Sequence, residues 1–295
     1  MNWNKYKIKP NKNFKLAKID THPGVSQYSD KELKELKVNL SNDIEEIAKL
    51  QNKLFAENRQ SLLIILQGMD SAGKDGTIKH IMSGVNPQGV LVHSFKHPSA
   101  VELEHDYLWR HAQKLPGHGQ ITIFNRSYYE NVLISKVHPE IVLAEHLPGI
   151  DRINKIDKLF WKRRYKQINY FEKNTAQNGT HILKLFLHLS KHEQRNRFIE
   201  RIDSKEKHWK FSTDDITERE FWINYQDAYE QALKHTSTKI APWYIIPADD
   251  KLYAHLLIGR IILKTLKKMN PSFPPFDQKE KKLMKQAKEK LKKEK

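Results

Sequence analysis

The sequence predicts an α/β fold of three layers, α/β/α, with helices on both faces of a five-stranded parallel sheet. Short continuous apolar runs alternate with helical stretches from about residue 62 to 268, the pattern of strands buried on both faces. The first run ends in a glycine-rich segment with phosphate-loop spacing, which belongs between a strand and a helix. With 295 residues, 38% hydrophobic and 29% charged, the chain has enough material for a full-sized core beneath a wet surface.

Taken in order, residues 1–28 read as irregular, with Pro10 and Pro23-Gly24 marking turns. Ser29 and Glu32 have capping-box spacing, and Leu33, Leu36, Leu40, Ile44, Ile47, Leu50 and Leu54 recur at threes and fours. That periodicity predicts a packing helix to about Asn58 and a candidate subunit contact. Strands are expected at Leu62 to Leu66, Val90 to Phe95, Ile121 to Phe124, Ile182 to Leu187 and Trp243 to Ile246. Between them fall a helix through about Ser83 and another to about Gln113. An amphipathic helix after Pro148-Gly149 should turn Ile156, Phe160, Ile168 and Phe171 inward. Two charged helical stretches fill 190–234, and a last helix runs near 250–268. The expected organisation is an irregular segment 1–28, a single domain 29–270, and a basic tail 271–295 opened by Pro271, Pro274 and Pro275.

Cysteine is absent, which removes disulfides, thiolate catalysis and sulfur-ligated zinc. No run approaches the roughly 20 apolar residues of a membrane helix; Leu252 to Leu263 is short and carries His255 and Arg260. No secretory h-region follows Met1, so a cytoplasmic location is expected. The net charge is +17, from 52 basic and 35 acidic residues. From Lys279 to Lys295 nine Lys face three Glu, a surplus of six; the other eleven charges belong to the body. Such a field attracts polyanions.

Gly68-Met69-Asp70-Ser71-Ala72-Gly73-Lys74 satisfies G-x-x-x-x-G-K. Its glycines let backbone N–H groups converge on phosphate oxygens, and the following helix adds its positive end. Lys74 supplies a point charge for a transferring phosphate. Asp75 stands where Ser or Thr is usual, followed by Gly76 and Thr77. Asp70 is a carboxylate inside an anion cradle and fits there if it holds Mg²⁺ bridging to phosphate. Asn125 and Arg126 end the third strand at the edge where parallel sheets bind ligands; Arg126 suits phosphate, or an ion pair with Glu130 four residues on. Arg197, Arg201 and Lys205, spaced by four, would form one cationic face of a helical lid over about 190–220. Lys210 follows it. Ser212 and Asp215 have capping spacing, Arg219 is a weaker phosphate candidate, and Lys96 ends the second strand near an acceptor. The 15 His show no zinc-type spacing.

With these motifs in order, the chain resembles the polyphosphate kinase 2 family. The resemblance rests on Gly68-x-Asp70-x-x-Gly73-Lys74-Asp75-Gly76-Thr77, Val85-Asn86-Pro87 and Phe124-Asn125-Arg126-Ser127-Tyr128-Tyr129-Glu130. Farther on it rests on Glu193-Gln194 with Arg197 and Arg201, Trp209-Lys210-Phe211-Ser212, Pro242-Trp243 and Ile246-Pro247-Ala248-Asp249. It covers roughly 30–265. It implies a P-loop, thymidylate-kinase-like fold with a helical lid, and Mg²⁺-dependent transfer of phosphate between polyphosphate and nucleotides, with Mn²⁺ as a substitute metal. It further implies Asp70, Lys74, Asn125, Arg126 and Glu130 as catalytic residues, with Asp70 on the metal. Gly68, Ala72, Gly73, Asp75, Gly76, Thr77, Arg197, Arg201 and Lys210 would bind phosphate; Lys96, Arg126 and Glu130 would bind nucleotide. Many members carry Asp where this chain has Asn125. Asn125 with Glu130 resembles the subgroup that takes both mono- and diphosphates, so AMP would pass through ADP to ATP, with GMP and GDP as further acceptors, reversibly. Expected partners are inorganic polyphosphate, nucleotides and further copies of the chain as a dimer or tetramer, with no membrane and no nucleic acid. The alternatives are an ATP-dependent nucleotide kinase on the same fold and a nucleic-acid-binding P-loop protein; no helix-turn-helix, zinc-finger or aromatic RNA-reading signature supports the latter.

Overall fold

The structure is a computed structural model and describes residues 3–10, 14–24 and 28–294. Its centre is a five-stranded sheet, β1 (Ser61–Gly68), β2 (Val90–Ser94), β3 (Ile121–Asn125), β4 (Thr180–His188) and β5 (Trp243–Pro247), in the order β2-β3-β1-β4-β5. Every pairing is parallel. Helices α1 (Asp30–Glu57), α2 (Lys74–Ile81), α3 (Ala100–Leu103) and α4 (Trp109–Ala112) precede β3; α5 (Ile134–Val137), α6 (Glu140–Leu143) and α7 (Lys158–Gln177) lead to β4. After β4 come α8 (Lys191–Asp203), α9 (Thr213–Thr217) and α10 (Trp222–Thr236), and after β5, α11 (Lys251–Met269) and α12 (Gln278–Leu291).

The alternation of strand side chains sorts two cores. Leu62, Ile64 and Leu66 of β1 join Ile123, Leu185 and Ile246 beneath α1, α2 and α11. Leu63 and Ile65 face the other way with Phe124, Phe186 and Ile245, under α7, α10 and the Tyr128–Val132 turn. Period two places alternate residues on opposite faces, so a strand apolar throughout must be covered on both. β2 departs from this: it is an edge strand with Leu91 and Val92 exposed.

Several sequence expectations change. The helix expected up to Gln113 is two single turns, α3 and α4, separated by irregular chain. Asp157 caps α7 by accepting from the Phe160 amide, so Ile156 lies outside the helix. Residues 1–28 are less irregular than expected where they are described: 3₁₀ turns form at Trp3–Tyr6 and Leu16–Lys18, and Ile8 and Leu16 are buried in the core. Ser29 and Glu32 do form the capping box of α1. Among the described residues no helix is long and apolar enough to cross a membrane.

One polar cluster lies wholly inside. Lys184, fully buried in β4, donates to Glu172 (2.7 Å), the Tyr129 hydroxyl (2.8 Å) and the Thr236 carbonyl (2.7 Å). Tyr128 and Tyr129 both donate to the other Glu172 oxygen. Burial pushes the Lys184 ammonium below its ordinary value, and Glu172 opposes the shift. The cluster fastens the turn after β3, where the chain leaves the sheet edge.

Candidate active site

β1 ends at Gly68, where an added Cβ would come within 2.9 Å of the Leu187 carbonyl oxygen and 3.0 Å of the Ala72 Cβ. Only a residue without a side chain lets the loop turn there. The chain then passes through two left-handed positions, Ser71 (φ 63°) and Gly73 (φ 100°), into α2. Lys74 is the first residue of α2 and is buried; its Nζ donates to the carbonyls of Gly68 (2.6 Å) and Met69 (3.2 Å). Burial and the neighbouring Arg126 push the ammonium below its usual range, against the pull of Asp70 and Glu130.

Arg126, one residue past β3, also sits in left-handed backbone (φ 62°). Its guanidinium pairs with Asp70 and lies 3.8 Å from Glu130. These carboxylates, Glu130 foremost, raise its pKa against the opposing effect of burial. Gln67 donates to Glu130 at 3.0 Å and orients it. Asn125 donates to Asp75 at 2.8 Å, and Lys210 reaches the other Asp75 oxygen at 2.8 Å. Those donors hold the Asp75 carboxyl below its ordinary range, Lys210 most strongly.

Arg197 is buried and commits its guanidinium to the loop it underlies. Nε donates to Glu193, Nη1 to the carbonyls of Ser71 and Ala72 (3.1 Å each), and Nη2 to those of Ala248 and Asp249. Gln194 adds a bond to the Asp70 carbonyl. Arg201 faces the cleft and binds the Ser71 hydroxyl (2.6 Å) and Asp215 (2.7 Å). Asp215 is therefore an ion-pair partner; Ser212 caps α9 through the Asp214 amide instead. Burial and the Asp70 charge hold the Asp215 carboxyl above its usual range despite Arg201. α8 stops at Asp203, so Lys205 starts a separate 3₁₀ turn and the three-cation row is broken after Arg201. Arg219 is occupied with the Lys191 carbonyl and Gln194.

These groups surround a cleft of about 650 Å³ at the carboxyl ends of the strands, lined by eight Lys and Arg against four Asp and Glu. A second cavity of about 270 Å³ shares Phe95, Lys96, His97 and Arg126 with the first. It continues between apolar Leu103, Ile134 and Ile141 and polar Glu102, Arg110 and Glu130. Such a chamber suits a flat, partly apolar group whose charged end passes Arg126.

Of the sequence candidates, Asp70, Ala72, Gly73, Lys74, Asp75, Gly76, Lys96, Asn125, Arg126, Arg197, Arg201 and Lys210 line the cleft. Gly68 and Thr77 lie behind the loop, and Glu130 belongs to the second cavity. Sequence reasoning missed Lys251 and the orienting Gln67, while Ser71 and Trp209 stand in its motifs without a role assigned to them. A polar Gln directly after the apolar run Leu62 to Leu66 was the available signal for Gln67.

A family model described as Polyphosphate kinase 2 matches residues 27–274. A protein from Rhodopseudomonas palustris named ADP-polyphosphate phosphotransferase is 51% identical over 235 residues, 80% of each chain. One from Meiothermus ruber named AMP/ADP-polyphosphate phosphotransferase is 42% identical over 272 residues, covering 92% of this chain and 95% of the other. The crystal structure of Polyphosphate Kinase 2 from Arthrobacter aurescens superposes with a TM-score of 0.83 at 36% identity, covering 95% of this chain and 94% of that one.

Proposed function

The chain belongs to the polyphosphate kinase 2 family, and from that premise we propose that it phosphorylates AMP and ADP, and GMP and GDP, from inorganic polyphosphate. The observation that carries this is the shared wall: Arg126 and Lys96 stand where the cationic cleft meets the smaller chamber. In our reading polyphosphate lies in the cleft under residues 190–220, which act as a lid on the domain 29–270. The nucleoside occupies the second cavity, and its terminal phosphate passes Arg126 toward Lys74.

The attacking group is a phosphate oxygen, already anionic near neutral pH, so no side chain need remove a proton. What opposes reaction is repulsion between two polyanions and charge spreading over the transferring phosphoryl group. Lys74 gives up its loop carbonyls for that phosphoryl group, Arg126 spans donor and acceptor, and Arg201 and Lys210 hold the donor chain. Arg197 serves by fixing the carbonyls of Ser71 and Ala72, so that the loop is preorganised rather than rebuilt at each turnover. One phosphoanhydride replaces another, which makes the transfer reversible.

Phosphotransfer in this family generally needs a divalent metal. Asp70 suits one: one carboxylate oxygen is held by Arg126, and the other has no hydrogen bond among the described residues. No cluster of three His, Asp or Glu able to hold a metal exists among the described residues. That fits Mg²⁺ or Mn²⁺ carried largely by phosphate oxygens. When bound, the ion would be held by Asp70 and would neutralise phosphate charge.

A donor–acceptor matrix tests the assignment. With Mg²⁺, polyphosphate should convert AMP, ADP, GMP and GDP, whereas ATP should not be required as donor. Product from ADP but never from AMP would reject the roles given to Asn125 and Glu130. No product from any acceptor would reject the function.

Asp75 offers a second test. Its carboxylate occupies Lys210 and adds negative charge beside the cradle. Asp75→Asn should therefore lower KM for polyphosphate, up to about fivefold at low salt, with kcat little changed, because such a half-exposed pair is worth at most about 1 kcal/mol. A collapse of kcat at constant KM would place Asp75 on the metal instead.

A further inference from the structure

The α12 helix is unused by the cleft, and all of its residues are exposed. From Gln278 to Glu294 the chain carries eight Lys against three Glu, a surplus of five. Lys281, Lys285, Lys288 and Lys292 fall at i, i+4, i+7 and i+11, which sets them in one row about 16 Å long. Lys292 pairs weakly with Glu289 at 3.4 Å; the other three have no ion-pair partner among the described residues.

The helix is rooted far from the chemistry. α11 begins at Lys251 on the cleft wall and ends at Met269, whose carbonyl accepts from Gln60 at the opposite end of the sheet. Nineteen helical residues span about 28 Å. At that far end Lys7 lies close enough to Lys264 and Lys268 for their like charges, after burial, to push its ammonium below the ordinary value. Among the described residues no carboxylate is paired with any of the three. The surplus positive charge thus has a second focus, remote from the cleft.

We propose that the Lys281–Lys292 row, with Lys7, Lys264 and Lys268 at its root, is a second binding site for inorganic polyphosphate, which anchors long chains while the cleft works on an end. A linear row of cations complements a linear polyanion, and the substrate proposed above is one. A membrane surface fits less well. The apolar side of α12, made by Leu283, Met284, Ala287 and Leu291, has Glu280 at its N-terminal end, with its carboxylate fixed to the Asp277 amide. A carboxylate on that side opposes insertion.

Binding at two connected sites raises the effective concentration of the polymer at the cleft without altering chemistry there. The inference rests on polyphosphate being the donor, and its test keeps the two apart. The full chain with Lys281, Lys285, Lys288 and Lys292 all changed to Gln is compared with the unaltered chain, using short oligomers and long-chain polyphosphate. KM for long chains should rise about tenfold and lose part of its salt dependence, while KM for short oligomers and both kcat values stay put. Equal KM shifts at both lengths, or none at either, overturn the second site and leave the function standing. Loss of binding to anionic lipid vesicles, or a lower oligomeric mass, with KM for long chains unchanged, assigns the helix to a membrane or to another copy and likewise overturns it. An unaltered chain that turns over no polyphosphate of any length removes both claims.

Discussion

Replacing Lys74 with Met is expected to lower kcat about a thousandfold, equivalent to about 4 kcal/mol of transition-state stabilisation, with the fold intact. The expectation follows from where the side chain is. Lys74 is buried at the start of α2 with its ammonium on two loop carbonyls, so its charge acts in a site poorly screened by water. Methionine keeps the packed stem and removes the charge. Because burial already disfavours the ammonium, its loss should move the melting temperature by only a few degrees. Single-turnover measurement with ADP and polyphosphate, beside a melting curve, separates the two effects. A Lys74→Met enzyme within tenfold of the unaltered rate would remove this lysine from the reaction.

The second large effect is on stability. Glu172→Ala should cost about 3–5 kcal/mol, because it leaves the Lys184 ammonium buried without a counter-charge and strips two tyrosine hydroxyls of their acceptor. Urea midpoints measure the loss. Replacing both members together, Glu172→Leu with Lys184→Met, should recover most of it, since a buried ion pair adds little over apolar packing of similar volume. The damage should also reach the active site, because Tyr128 and Tyr129 separate Arg126 from Glu130 along the turn. A loss below about 1 kcal/mol for Glu172→Ala would show that water reaches Lys184 and that the cluster is not dry.

How far the sequence discloses this molecule depends on whether a feature is local. The run Leu62 to Leu66 followed by Gly68 and Gly73-Lys74 is decided within a dozen residues, and β1, the loop and α2 appear where that pattern puts them. Arg197 shows the limit. Spacing by four places Arg197 and Arg201 on one helical face, but it does not reveal that one guanidinium turns under the loop while the other enters the cleft. Asp215 was misread for the same reason: its capping spacing is local, whereas its partner Arg201 comes from another helix. The second cavity draws on segments from Phe95 to Glu145 that no short pattern connects. Lys184 was a signal that went unused. A lysine inside the apolar stretch Ile182 to Leu187 must find a buried counter-charge, and Glu172 supplies it.

The left-handed backbone of Arg126 has a consequence for which residues this position tolerates. Outside glycine such a conformation costs about 1 kcal/mol, and here it is adopted by the side chain that joins the two cavities. Folding on its own would favour glycine at that turn, while the phosphate-binding role proposed for Arg126 needs a guanidinium. Under that proposal robustness and turnover pull one residue in opposite directions: Arg126→Gly should relax the backbone and raise the melting temperature while lowering turnover.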